Sequence, residues 1–413
     1  MLYREVKKNN DQLSILGFGC MRLPQKKGSP GDGKIDEKPA TDQIRMAIDQ
    51  GVNYLDTALP YHMGGCEAFL GKALSQGYRE KVKLATKLPH WSVDIPDDMD
   101  SILNAQLGRL KTQQIDYYLL HALDGRAWDK MEAMGVADFF SQAKSQGRII
   151  NAGFSFHGAE AEFIRIVDAY DWDFCQIQYN YLDRKNQAGT KGLKYAASKD
   201  LGVIIMEPLR GGLLGRKPPP AVSAVWQEAN IQRTPAEWAF RWIWNHPEVT
   251  VVLSGMNDEH HIQENINIAE EGVPESLSKE ELTIVQRVEK TYRTLMKAGC
   301  TGCGYCMPCP HGVDIPTCFE CLNNLNLFGD ARGAAYFYMA RVSGLARSPG
   351  LASQCQDCGE CEEKCPQKLP VRELLKEVSN EFEGPFFNTK IWFFKKFMKI
   401  YKWQMLHMQK HEK

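Results

Sequence analysis

Over roughly the first 270 residues, short runs of β-branched and apolar residues alternate with longer stretches whose apolar positions recur every three or four residues. The short runs predict strands at 15–20, 52–56, 82–87, 115–121, 149–154, 174–178, 203–206 and 250–254. The longer ones predict helices between them, among others at 42–49, 98–110, 137–146 and 235–245. Eight such units in that length fit a closed (β/α)8 barrel of the α/β class better than an open sheet. Ahead of them, residues 3–16 have the turn-prone Asn9-Asn10-Asp11 between two strand-like halves, which predicts a hairpin closing the barrel bottom. Gly- or Pro-rich loops at 28–33 and 217–220 follow strands one and seven, on the face where barrel active sites form. A helix at 279–295 then leads out of the alternating pattern.

Composition narrows the class. The chain has 413 residues, 43% hydrophobic and 24% charged, with a formal net charge of −1, so it carries no electrostatic footprint for nucleic acid. No run of eighteen apolar residues occurs, and Met1-Leu2-Tyr3-Arg4-Glu5 is no start of a signal peptide; the expectation is a cytoplasmic protein, not associated with membranes, with reduced thiols. Thirteen cysteines are spread unevenly: Cys20, Cys66 and Cys175 stand alone, and the other ten fall between Cys300 and Cys365. Such crowding of reduced thiols reads as metal binding. It sets expected domains of 1–295 for the barrel, 296–380 for the cysteine region and 381–413 for a basic, aromatic tail helix.

In a (β/α)8 barrel, polar residues at the C-terminal strand ends carry the chemistry. Here Asp56, Lys87 and His121 close three successive strands, and Tyr61 follows in the next loop. Singly, each has an ordinary role as a helix cap, a surface charge or a local hydrogen-bonding group; together they form a set. The first strand ends in Gly17-Phe18-Gly19-Cys20-Met21-Arg22, which is not G-x-G-x-x-G, and no P-loop occurs. The stretch Asp56-Thr57-Ala58-Leu59-Pro60-Tyr61 resembles the Asp-Thr-Ala-x-x-Tyr motif of aldo-keto reductases, as Ala85-Thr86-Lys87 and Tyr117-Tyr118-Leu119-Leu120-His121 resemble the family's lysine and histidine strands. The resemblance, over roughly 1–295, implies NAD(P)(H)-dependent interconversion of a small carbonyl and its alcohol. Tyr61 would donate the proton, Lys87 would favour the phenolate, Asp56 would hold Lys87, and His121 would orient the carbonyl. It also implies cofactor contacts at Gly19, Cys20, Ser155, Gln176, Pro208, Leu209, Arg210, Ser254, Gly255 and Asn265. Departures stand at Phe156 for a usual Asn, Met206 for a ring-stacking Tyr, and His261 for a frequent Arg, and Ser254-Gly255-Met256-Asn257 lacks a basic residue for a 2′-phosphate. NADH, NADPH and a flavin therefore all stay open as the barrel's cofactor.

The cysteines form two ladders: Cys300-x2-Cys303-x2-Cys306-x2-Cys309-Pro310 and Cys355-x2-Cys358-x2-Cys361-x3-Cys365-Pro366. Three close thiolates and a fourth before proline are the two-cluster ferredoxin pattern, in which the fourth cysteine serves the other cluster. Structural zinc is the weaker alternative. One 4Fe-4S cluster is expected on Cys300, Cys303, Cys306 and Cys365, the other on Cys355, Cys358, Cys361 and Cys309. Helical patterns at 319–328 and 331–341 separate the ladders, so this part is a small, mainly helical, ferredoxin-like domain. Cys318 and Cys321 read as spare thiols. In the tail, Lys395, Lys396, Lys399 and Lys402 share a helical face opposite Phe393, Phe397, Ile400 and Tyr401, with Trp392 and Trp403 on the basic side; it is expected to pack on its own protein. The expected function is a carbonyl or alcohol oxidoreductase whose two clusters serve a one-electron partner, a ferredoxin or flavoprotein. The alternative is an electron-transfer or redox-sensing protein whose barrel binds nicotinamide or flavin without carbonyl reduction.

Overall fold

A computed structural model describes residues 1–26, 34–300, 302, 304–345, 349–365, 367–393 and 395–396. Ten strands occur among them: β1 (Tyr3–Val6), β2 (Asp11–Ser14), β3 (Leu16–Gly19), β4 (Tyr54–Asp56), β5 (Lys83–Leu88), β6 (Ile115–Leu123), β7 (Ile149–Phe156), β8 (Phe174–Gln178), β9 (Gly202–Met206) and β10 (Val251–Ser254). Strands β3 to β10 pair in parallel in chain order, and β10 returns to β3, closing an eight-stranded barrel. Helices cover the outside, so the strands are buried on both faces and read as continuous apolar runs.

β1 and β2 form an antiparallel hairpin with Tyr3 opposite Ser14. Val6 and Leu13 of that hairpin pack on Tyr54, Ala85, Tyr117, Phe174 and Val251, near the N-terminal ends of the barrel strands, so the hairpin stops the bottom. Small residues admit the large ones here: a Cβ on Gly153 would lie 2.5 Å from the Phe174 ring. Arg4 pins the plug. Its guanidinium donates to the carbonyls of Trp244 (2.6 Å), Val249 (2.5 Å), His246 (3.0 Å) and Gly272 (3.2 Å).

β6 is irregular where it matters. Its pairing with β7 is regular up to Leu120 opposite Phe154, then shifts so that Leu123 faces Phe156. Within the shift Ala122 has φ 53°, and its N–H donates to Ser155 Oγ at 2.7 Å. His121 sits on this bulge.

Contacts divide the chain into two compact units, 1–215 with 233–278, and 216–232 with the residues from Lys279 on. This differs from a boundary at 295, because helix Lys279–Leu295 groups with Pro220–Gln227. Arg287 on the first donates to Glu228, just after the second, at 2.6 and 2.8 Å. The rest of this unit is helical, with Ile315–Phe328, Ala331–Val342 and Val371–Phe382 around a core that includes Phe319, Leu322, Tyr338 and Val378. Asp314 and Asp330 cap the first two by accepting from Thr317 and Gly333 N–H groups. Cys318 and Cys321 are buried in this core. The loop at 28–33 and the tail positions Phe397, Lys399, Ile400, Tyr401, Lys402 and Trp403 lie outside the described residues; Trp392 and Phe393 are exposed. No described helix is long and apolar enough to cross a membrane.

Candidate active site

Asp56 ends β4, Lys87 lies near the end of β5, and Tyr61 opens the short turn after β4. That turn has an unusual path, with His62 (φ 52°), Met63 (φ 51°) and Gly64 (φ 88°) all left-handed, a conformation that non-glycine residues rarely adopt. His62 is held there by accepting the Leu23 N–H at Nε2, 3.2 Å. The result brings three polar groups together. Lys87 Nζ donates to Asp56 Oδ1 at 2.7 Å, to the Thr57 carbonyl at 2.9 Å and to Tyr61 Oη at 3.3 Å. The lysine and aspartate side chains are 1% and 3% exposed, so this is a desolvated ion pair. Burial pushes the Asp56 carboxyl up from its ordinary range, against the opposing pull of Lys87. Asp56 Oδ2 has no hydrogen-bond partner among the described residues.

The His121 ring centroid lies 6.4 Å from that of Tyr61 and 5.0 Å from that of Trp91. Burial, then the Lys87 charge, holds its imidazole well below the ordinary histidine range. Its Nδ1 is buried without a partner among the described residues. A neutral imidazole keeps one N–H to donate to an oxygen placed before Tyr61.

The ten positions implied as cofactor contacts fall into three groups. Gly19 and Gly255 flank the join of β3 and β10; a Cβ on Gly19 would meet the Ser254 carbonyl oxygen at 3.4 Å. Ser254 Oγ accepts from Asn265 Nδ2 at 3.1 Å. Gln176, buried on β8, points Nε2 at Met206 Sδ (3.7 Å) and leaves Oε1 with no partner among the described residues. An orphaned buried carbonyl beside Lys87's end of the barrel fits an amide donor from a nicotinamide. The second group is already engaged: Ser155 supports the bulge after His121, and Cys20 is fully buried, its thiol pushed up by the adjacent Cys66 and by burial. The third lies just after β9, where Pro208 and Leu209 precede Arg210. Arg210 is 4% exposed, and its Nε lies 3.1 Å from Asp183 Oδ2, so the guanidinium expected to meet phosphate faces a carboxylate. Asp183 also accepts from Asn180 Nδ2 at 2.8 Å. Asn180 and Asp183 carry no sequence signal beyond a run of polar residues continuing past Gln176 and Gln178.

In the second unit the cysteines border two hollows. One is lined by Cys306, Cys309, Cys355, Cys358 and Cys361, the other by Cys300, Cys306 and Cys365. Cys303 lies outside the described residues. Cys309 borders the hollow of the second ladder and Cys365 that of the first, while Cys306 borders both. Thiols spread around a hollow are compatible with the corners of a cubane.

A model of the aldo/keto reductase family matches residues 15–290, and one for a 4Fe-4S dicluster domain matches residues 299–369. An uncharacterized oxidoreductase of Bacillus subtilis (strain 168) is 35% identical over an alignment of 211 residues that covers 44% of this chain and 61% of that protein's length. The NADH-specific methylglyoxal reductase of Escherichia coli (strain K12) is 26% identical over 300 residues, covering 62% of this chain and 89% of that one. The solved holo form of an aldo-keto reductase from Bacillus halodurans superposes with a TM-score of 0.57 at 25% identity, over 70% of this chain and 96% of its own. With the closed parallel barrel and a family match over residues 15–290, this chain belongs to the aldo/keto reductase family of oxidoreductases, and it carries a 4Fe-4S dicluster domain after the barrel.

Proposed function

We propose that the barrel interconverts a small carbonyl and its alcohol with a nicotinamide cofactor, and that two 4Fe-4S clusters in the second unit exchange single electrons with a protein partner. The observation that carries the first half is the contact of Lys87 Nζ with both Asp56 Oδ1 and Tyr61 Oη. A phenol with an ordinary pKa of about 10 is a reluctant acid near neutrality. An ammonium at 3.3 Å favours its phenolate and so eases proton release to a developing alkoxide. Asp56 keeps that ammonium in place, and the neutral His121 donates to the carbonyl oxygen. A nicotinamide, when bound, supplies the hydride; Gln176 Oε1, Gly19, Ser254, Gly255, Asn265, Pro208 and Leu209 are the positions that would hold it. The lack of a basic residue at 254–257 and the NADH-specific relative favour NADH. Replacing Tyr61→Phe should leave nicotinamide binding intact and lower carbonyl reduction by ~10²-fold or more. Near-normal turnover in that variant would overturn the assignment.

The clusters would be held by Cys300, Cys303, Cys306 and Cys365, and by Cys355, Cys358, Cys361 and Cys309. Hydride carries two electrons and each cluster one, so direct exchange would need a converter such as a flavin. The clusters' partner is therefore an external protein: a flavoprotein can convert between an electron pair and single electrons, whereas a ferredoxin, itself a one-electron carrier, can exchange only with the clusters. Rapid cluster bleaching by NADH in protein shown to be free of flavin would remove the need for one.

A further inference from the structure

Behind the Lys87 strand lies a buried polar cluster that the chemistry above does not use. Glu67, on helix Gly65–Ala73 six residues after Tyr61, is fully buried. Its carboxylate accepts from Thr86 Oγ1 (2.7 Å), Gln106 Nε2 (2.8 Å) and Arg109 Nε (2.8 Å), and pairs with Arg109 Nη2 at 2.7 Å. Gln106, on helix Asp97–Leu110, is equally buried and does more. Its Nε2 also donates to the carbonyl of Lys87 itself at 3.0 Å, while its Oε1 accepts the Tyr118 hydroxyl at 2.8 Å. One amide thus touches the helix that follows Tyr61, the backbone of Lys87 and the strand that carries His121. The amide has a single sensible orientation, since the reverse would set its oxygen against a carboxylate and a carbonyl.

We propose that Gln106, anchored by Glu67, is a positioning residue that sets the separation of the Lys87 ammonium and the Tyr61 hydroxyl. The inference rests on the catalytic reading of Tyr61 and Lys87. Stability alone is a poor reason for the cluster, because a buried ion pair rarely outdoes apolar packing of equal volume. A satisfied buried network does, however, admit one geometry. The two helices also meet backbone to backbone: a Cβ on Gly71 would lie 2.3 Å from the Arg109 carbonyl oxygen. Glu67 and Arg109 therefore cannot slide past one another, and the clamp transmits that fixed register to Lys87.

The test uses the full, cluster-loaded chain with Glu67→Gln and Gln106→Met, and Lys87→Met as control. Both clamp variants should keep nicotinamide binding and KM, lose kcat by ~tenfold or more as reacting groups drift apart, and move the basic limb of the kcat–pH profile upward as Tyr61 loses its ammonium. A drop in thermal stability with kcat and the limb unmoved would overturn the clamp, leaving it a packing feature. Should Gln106→Met fail to fold, Tyr118→Phe removes one bond to the same amide and is read identically. Normal kcat in Lys87→Met would overturn the catalytic reading itself. Lost kcat there beside an unmoved limb in Glu67→Gln would overturn the clamp alone.

Discussion

At the barrel site the polar groups hold one another. Lys87 is fixed by an aspartate, a backbone carbonyl and a tyrosine before any ligand arrives. In the second unit the ladder cysteines border hollows; Cys358 is exposed, and Cys300, Cys306, Cys309, Cys355 and Cys365 are only partly buried. A preorganised site is a product of folding, whereas a thiol-ringed hollow contributes most of its stabilisation only when its metal group binds. The same chain thus contains one site that folding completes and one that is expected to complete folding.

The largest break in that comparison should come from removing iron. Anaerobic chelation should abolish the brown absorption and melt helices Ile315–Phe328 and Val371–Phe382, while the barrel keeps its far-ultraviolet signal and its carbonyl reduction. Circular dichroism and activity on the same sample check this, and an unchanged helical signal after complete iron loss would contradict it. A smaller effect separates the two hollows. Cys309→Ser should lose the cluster shared with Cys355, Cys358 and Cys361, and Cys365→Ser the other, each leaving about four of about eight irons per chain. If Cys309→Ser instead perturbs the signal that Cys300→Ser removes, the crosswise wiring is wrong. The smallest effect concerns protons at the barrel. His121 and His246 both have pKa values held below the ordinary 6.5, chiefly by burial. As pH falls through about 6.5, the unfolded imidazoles take up protons that the folded ones refuse, so the barrel loses stability on acidification. His121→Gln should flatten that loss in denaturant titrations, and an identical slope would show that His121 is protonated equally in both states.

How far the sequence could be read depended on how local each signal was. The eight barrel strands were legible because strands buried on both faces appear as unbroken apolar runs, and each lies within a few residues of its expected place. The Asp56–Tyr61 motif was legible for the same reason: its members are near neighbours. Glu67, Gln106 and Arg109 were not, because polar residues on a helix look like a solvated face until another helix docks against them. Arg210 looked available for phosphate, and only the fold sets Asp183 against it. The grouping of 216–232 with helix Lys279–Leu295 likewise depends on a partnership across about 60 residues, Glu228 with Arg287. No local pattern encodes it.

The four carbonyls that receive Arg4 carry a consequence for biosynthesis. They belong to residues 244–272, so a residue that precedes every barrel strand bonds to some of the last residues of the barrel. Contacts of such long sequence separation form slowly, and here they cannot form at all until nearly the whole barrel has been translated. The hairpin, although made before any barrel strand, must wait in the nascent chain for residues 244–272, so the barrel's bottom seals only after its final strand has emerged.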